Sequence, residues 1–402
     1  MTARVSAAPM RVLAAVLALM VGLSGLALLA PTGARADTAP PAGTPATVSA
    51  DGLPTTQING VAWSQVVVGN TVYVGGEFTS ARPAGAALGT QETPRANLLA
   101  YDIRTGELIQ SFAHDLNGQV LVVAASPDGS RIYIGGDFTT VDGQPRKRVA
   151  AFDTASGALT SFNPNVSGQV AAIAATNSTV YLGGNFTAVG SIARTRLAAV
   201  SADGSLLPWA PLPGVGSTAG NRDGNTATSN AVLALVVTSG GDQVVAGGRF
   251  DSMNGVKATG VAAMDAVTGA TRPFAINQLI TNQGINSAVY SLSTDGTTVY
   301  GTAYDFYGPG NLEGSFAAKA DGGAVVEIND CRGDTYSNIA IGGVLYLSSH
   351  AHDCANIGAY PEQPVRVHKF ATAITTTPTG VNGTHTLANS NFVGKPACAA
   401  PV

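Results

Sequence analysis

The 402-residue chain holds 49 glycines, only 11% charged residues and a net charge of −4, against a usual charged share of about 25%. With no Lys/Arg cluster beyond Arg146-Lys-Arg148, a triplet that reads as a solvated turn, binding of nucleic acid by electrostatics is excluded. A Gly-rich, low-charge chain whose apolar runs are β-branched and lack a 3.6-residue period is an all-β protein with strands buried on both faces.

In chain order, Arg4 and Arg11 precede an apolar stretch from Val12 to Ala30, followed by Pro31 and Ala34-Arg-Ala36. This predicts a signal peptide over residues 1–36, cleaved before Asp37. The run is long enough to span a bilayer if retained, but Gly22, Gly25 and the Ala-x-Ala site favour cleavage, and no Cys follows to take a lipid. The expected location is secreted, extracellular or cell-wall associated, with no membrane insertion after cleavage. Residues 37–55, rich in Pro, Ala and Thr, are expected to be a disordered linker.

From residue 56 the chain repeats itself. Val72-Tyr-Val-Gly-Gly-Glu-Phe-Thr79, Ile132-Tyr-Ile-Gly-Gly-Asp-Phe-Thr139, Val180-Tyr-Leu-Gly-Gly-Asn-Phe-Thr187 and Val244-Val-Ala-Gly-Gly-Arg-Phe-Asp251 are near-copies of one phrase. An apolar run precedes each copy. Another follows and ends in an Asp-x-x-x-Gly turn, as in Val149-Ala-Ala-Phe-Asp153 before Gly157. Each unit closes on an aromatic: Phe112, Phe162, Trp209 or Phe274. Short β-rich runs with tight-turn punctuation describe four antiparallel strands per unit, and units of this length stack radially as a β-propeller. The Gly pair is expected where a Cβ would collide with a neighbour. Phe78, Phe138, Phe186 and Phe250 should pack between blades, and the turn aspartates should accept backbone N–H bonds.

Insertions lengthen the first and third units, the latter through Gly214 to Ser229 with Asn221-Arg-Asp-Gly-Asn225. That loop lacks the spaced acidic ligands of a calcium site and reads as flexible. Two degenerate units follow, Val299-Tyr-Gly-Thr-Ala-Tyr-Asp-Phe306 and Val344-Leu-Tyr-Leu-Ser-Ser-His-Ala-His352, which keep the strand and lose the Gly pair. The prediction is about six blades over residues 56–376, with residues 377–402 a tail or partial strand and a seventh blade only if the tail forms strands of its own.

Departures from a local rule tend to fall at functional places. If the units align, Tyr304, Asp305 and Tyr307 of the fifth share one face of the ring with His350, His352 and Asp353 of the sixth, and Asp334 sits at the seam. These seven are the candidate binding residues, with Tyr360 a further exposed aromatic. His350 and His352 lie two apart on an extended strand and could offer two ligands to a Zn²⁺ or Ca²⁺ site completed by Asp334, or else by Asp353 or Asp305. The plainer reading has both histidines hydrogen-bonding in a stapled loop with no cofactor. Cys331 and Cys354 flank one strand and its turn, which in an exported protein suggests a disulfide; a bridge between Cys354 and Cys398 stays open. Four Asn-x-Ser/Thr matches, at Asn165, Asn177, Asn185 and Asn382, are weak signals, the one at Asn185 being a by-product of the repeat.

The phrase Val-Tyr-Val-Gly-Gly-x-Phe-Thr, with the Leu-Ala-Ala-Phe-Asp-x-x-x-Gly pattern after it, resembles the GGxF-type β-propeller repeat of exported actinobacterial proteins, itself distantly similar to fungal cortical marker propellers. Asp330-Cys-Arg-Gly-Asp-Thr-Tyr336 and Ser348-Ser-His-Ala-His-Asp-Cys354 resemble the end of such propellers. The resemblance covers about residues 57–372 and implies export and a propeller, but no established reaction. No Gly-x-Ser-x-Gly elbow, phosphate loop or His-Glu-x-x-His helix is present. The favoured expectation is a non-catalytic module whose loop face binds a glycan, a cell-wall component or a protein. The alternative is a polysaccharide hydrolase or lyase with His350 or His352 as base or metal ligand and Asp334 or Asp305 as acid.

Overall fold

Each copy of the repeated phrase becomes the second strand of an antiparallel sheet. The computed structural model describes residues 54–216, 221–238, 240–358, 361, 370–377, 379–381, 383 and 395–396. The predicted signal peptide, most of the linker, Tyr360 and Cys398 lie outside them. The first sheet joins Val61–Val68, Thr71–Glu77 and Leu98–Asp102; the second, Val120–Ala125, Arg131–Gly136 and Val149–Asp153; the third, Gln169–Ala175, Thr179–Asn185 and Leu197–Ser201. The fourth is built from Val232–Val237, Gln243–Gly248, Val261–Asp265 and Thr271–Arg272. The fifth takes Ser287–Thr294, Thr298–Asp305, Gly314–Lys319 and Val325–Asp330, and the sixth Thr335–Ile341, Val344–Ser349 and Phe370–Thr375. The protein is an all-β propeller. Among the described residues no helix is long and apolar enough to cross a membrane.

The fourth strand is shorter than the pattern predicts. In the first three sheets it is a single bridge, Tyr101 with Leu108, Phe152 with Leu159 and Val200 with Leu206. The reason is local: only a few residues separate the turn, Asp-x-x-x-Gly in the first two units and Ser201-Ala-Asp-Gly204 in the third, from Phe112, Phe162 and Trp209, which dive into the core and are buried. There they meet the phrase tyrosines edge to face, Tyr73 with Phe112 at 5.1 Å, Tyr133 with Phe162 at 5.2 Å and Tyr181 with Trp209 at 5.1 Å. The turn aspartates act as expected. Asp153 accepts the Ser156 N–H at 2.8 Å, and Asp265 accepts those of Val267 at 3.0 Å and Thr268 at 2.7 Å.

The two glycines of the phrase have different tasks. A Cβ on the first (Gly75, Gly135, Gly183, Gly247) would overlap Val120, Val170, Val232 or Val289 on the inner strand of the next sheet. A Cβ on the second (Gly76, Gly136, Gly184, Gly248) would strike a main-chain carbonyl of its own sheet, because each inner strand carries a β-bulge opposite the pair. Phe138, Phe186 and Phe250 then fill successive inter-sheet cores, each burial contributing roughly 1.5–3 kcal/mol. The fifth and sixth inner strands keep the bulge although their partners have lost the Gly pair.

Small hairpins unforeseen from sequence leave the second strand in the second to fourth sheets: Thr140–Val141 with Gln144–Pro145, Ala188–Val189 with Ile192–Ala193, and Ser252–Met253 with Val256–Lys257. Asp142-Gly143 and Asn254-Gly255 turn two of them with positive φ at both residues, the geometry that matches strand twist in a two-residue loop. In the tail, Gly380–Val381 pairs parallel with Val325–Asp330, and Lys395–Pro396 antiparallel with Phe370–Thr375. The described tail therefore extends the fifth and sixth sheets, and no seventh sheet is found among the described residues.

Candidate functional site

The bulge places one residue of every inner strand out of the alternating pattern, and all six of these residues line one channel. They are Trp63, Leu121, Ala171, Leu233, Tyr290 and Tyr336, and the channel has a volume of about 850 Å³. Trp63 is 48% exposed, Tyr290 40% and Tyr336 42%, whereas the third aromatic of each repeat is buried. Strand register next assigns a second set. Glu77, Asp137, Asn185, Arg249, Tyr304 and His350 all follow the second position of the Gly pair or its replacement, so they end the second strands at equivalent points beside the bulges.

On the side of the second and third sheets this polar set is consumed by the protein itself. The Trp63 indole N–H donates to Gln119 Oε1 at 3.0 Å, and Gln119 and Gln169 both donate to Asp137 Oδ2, at 2.7 and 3.0 Å. On the side of the fifth and sixth sheets aromatic rings take over. Tyr290 meets Tyr304 at 5.8 Å and Tyr336 at 6.3 Å, both nearly perpendicular, and the Arg249 guanidinium lies 5.6 Å from the Tyr304 ring centre. Arg249 is held there by the carbonyls of Gly284 and Ile285. Burial pushes the Tyr304 hydroxyl up to about 12, so it stays protonated.

Asp334 occupies the inner-strand place held by Gln119 and Gln169. Its main-chain carbonyl accepts the His350 N–H at 2.6 Å, and its carboxylate lies near the Asp305 N–H and the Tyr336 hydroxyl. Burial raises its pKa, with the neighbouring His350 opposing. Glu313, between the second and third strands of the fifth sheet, is pushed up to about 7 by burial and then by the negative charges of Asp334, Asp305 and Asp330.

The structure sorts the sequence-predicted residues into two groups. Tyr304, Asp334 and His350 come together beside the channel-lining Tyr290 and Tyr336. Asp305 does not face it: it stands where the other sheets bury Phe78, Phe138, Phe186 or Phe250, with its side chain 3% exposed. It accepts the Gly310 N–H at 2.7 Å and pairs with Arg222 Nη2 at 2.8 Å, so it anchors a loop. Tyr307 lies on that loop at φ 59°, stacked edge-on against Phe306 at 4.9 Å, and its carbonyl accepts the Arg222 N–H at 2.7 Å. Asp353 caps the Ala355 N–H at 2.9 Å. His352 donates its main-chain N–H to Cys331 and Arg332, and its ring lies 5.3 Å from that of His350. Cys331 and Cys354 are disulfide-bonded. They form a small buried cluster with Ala351 and Ile357, in the stapled loop expected for the histidines.

Among the described residues no three His, Cys, Asp or Glu side chains converge as metal ligands, so His350, His352 and Asp334 are not gathered into the trio that a Zn²⁺ or Ca²⁺ site would need. Trp63, Tyr290, Tyr336, Glu313 and Arg222 were not singled out from the sequence. An alignment of the six inner strands on their bulges would have shown the three aromatics in one column. The Asn221 to Asn225 loop, read as flexible, is instead tied down by Arg222 and by an Asn286 to Asp223 bond of 2.8 Å.

A family model described as the Rax2 C-terminal beta propeller domain matches residues 98–221. Among solved structures, the chain is similar to one in the crystal structure of the mitotic checkpoint complex, with 14% identity over 89% of this chain and 84% of that one and a TM-score of 0.49. The computationally designed Ika8 protein matches at 13% identity over 79% of this chain and 86% of its own, with a TM-score of 0.40. No curated protein matches the chain.

Proposed function

We propose that this protein is an exported, non-catalytic recognition module that binds an extracellular glycan at the mouth of its channel. The observation that carries the reading is the bulge column. Three flat aromatic faces, Trp63, Tyr290 and Tyr336, stand exposed in one concave space, beside the polar groups of Glu77, Tyr304, Asp334 and His350. Exposed rings in a concavity with a few convergent polar groups suit a ligand that is apolar on its faces and hydroxylated at its edges, which describes a pyranose. Export is supported by Arg4, Arg11, the Val12 to Ala30 run and Ala34-Arg-Ala36, and by the resemblance to exported propellers.

The test is retention of the protein beginning at Asp37 on a polysaccharide and cell-wall array, followed by a turnover assay on each hit. Retention without product, weakened about tenfold or more in Trp63→Ala and Tyr336→Ala, is the expected result. Absence of retention on every glycan overturns the reading. Product that disappears in His352→Ala replaces it with polysaccharide cleavage.

A further inference from the structure

The aromatic and the acidic parts of the channel mouth fall on the same side, and this bears on which glycan fits. The exposed rings belong to the first, fifth and sixth inner strands. Acidic groups at the strand ends of those same sheets include Glu77, exposed at the end of its strand, Asp334, just before the sixth inner strand and two residues before Tyr336, and Glu313, in the field of Asp334, Asp305 and Asp330. The opposite side of the ring offers the aliphatic Leu121, Ala171 and Leu233, and Asp137 there is occupied by Gln119, Gln169 and Arg148.

The cations of the region are committed. Arg222 is paired with the buried Asp305. Arg249 is bonded to two main-chain carbonyls and lies over Tyr304. His350 adjoins Asp334, and Arg332, itself 73% exposed, lies 3.8 Å from Asp353. Negative charge is therefore in surplus beside aromatic faces, whose own quadrupoles also attract cations. A neutral sugar would answer the rings and leave the carboxylates without a partner. A uronic acid would be repelled by them.

We infer that the glycan carries free amino groups, its ammonium-bearing pyranose units seated on Trp63, Tyr290 and Tyr336 with Glu77 and Asp334 as counter-charges. A basic peptide would answer the carboxylates equally, but exposed ring faces, two of them in perpendicular contact at 6.3 Å, are better used by flat sugar units than by flexible lysine stems. This inference rests on the glycan-binding reading above and narrows its ligand class.

The experiment compares the unmodified protein's affinity for a β-1,4-linked glucosamine hexamer with its affinity for the fully N-acetylated hexamer, read by Trp fluorescence and by calorimetry. The amine form is expected to bind at least about tenfold tighter, and the advantage to shrink as salt rises from about 0.05 to 0.5 M. Glu77→Gln combined with Asp334→Asn should erase the preference while leaving the weaker binding of the acetylated form. Circular dichroism confirms that the double variant is folded, and the comparison on the unmodified protein stands without it. Equal or tighter binding of the acetylated hexamer overturns the inference and leaves glycan recognition intact. So does a lysine peptide of matched charge that binds as tightly as the amine hexamer. Failure of both hexamers alongside an empty glycan array overturns the parent reading as well.

Discussion

Sheets one to four and sheets five and six are built on the same strand plan, yet they spend the same positions differently. In the first four, the residue after the variable polar position is a buried Phe and the pair before it is Gly-Gly. In the fifth and sixth these become Asp305 and Ala351 after Thr302-Ala303 and Ser348-Ser349. The second to fourth sheets are thus held to their neighbours by apolar wedges, whereas Phe78, expected between blades, packs within the first unit's own cluster. In the irregular pair those positions carry a buried carboxylate with its arginine and the alanine of a disulfide-stapled loop, beside apolar clusters that still join the sheets, and ionisable and aromatic groups collect there. The repeat makes the scaffold; its exceptions make the chemistry.

That contrast predicts where substitutions should hurt. Phe186→Ala removes an inter-sheet wedge and should cost about 3–5 kcal/mol in chemical denaturation. If the cost falls under about 1 kcal/mol, the wedge account of the regular sheets is wrong. Replacing Cys331 and Cys354 by Ser opens a loop with a sequence separation of 23 and should cost about 3 kcal/mol, a loss that a reducing agent should reproduce in the unsubstituted protein.

Acidity offers a third probe. Glu313, and likewise the buried Glu327, is held at about 7 against an ordinary value of 4.5. The folded protein therefore binds these protons more tightly than the unfolded chain does. The associated stability is full below the unfolded value and is lost as pH rises through about 7. Relative to Glu313→Gln, the natural protein should lose on the order of 1–3 kcal/mol between pH 4.5 and 7.5, measured as melting temperature against pH. Parallel profiles for the two proteins would show that Glu313 is not so confined.

A fourth probe contrasts equivalent positions. Gly183→Ala pushes a Cβ against Val232 and should cost about 1–3 kcal/mol. Thr302→Ala, at the same place in the fifth sheet, removes a buried hydroxyl that has no hydrogen-bond partner and should change stability by less than about 0.5 kcal/mol. Smallest of all in stability, within about 0.5 kcal/mol, should be Tyr336→Ala, whose effect belongs to ligand retention.

The fold was legible because the Gly-Gly-x-Phe phrase records two steric demands at once, one within a sheet and one between sheets, and such demands leave a fixed mark in every copy. Tyr304, Asp334 and His350 were legible because they break that mark. Trp63, Tyr290 and Tyr336 were hidden because the bulge inserts one residue into a two-residue alternation, so period counting assigns them to the wrong face. Asp305 was misplaced for the opposite reason: a polar residue in a Phe position looks exposed until the loop ending at Gly310 is seen to cover it. Arg222 arrives from an insertion, which no repeat alignment can place.

The two tail strands have one more consequence. Outer edges of β-sheets offer unpaired N–H and C=O groups that recruit other chains. The first three sheets blunt theirs by ending in a lone bridge. The fifth and sixth have longer outer strands, and Gly380–Val381 and Lys395–Pro396 lie along them. These short strands cover part of the two outer edges, so a chain cut after Thr376 should remain folded at low concentration yet aggregate by edge-to-edge pairing as it is concentrated.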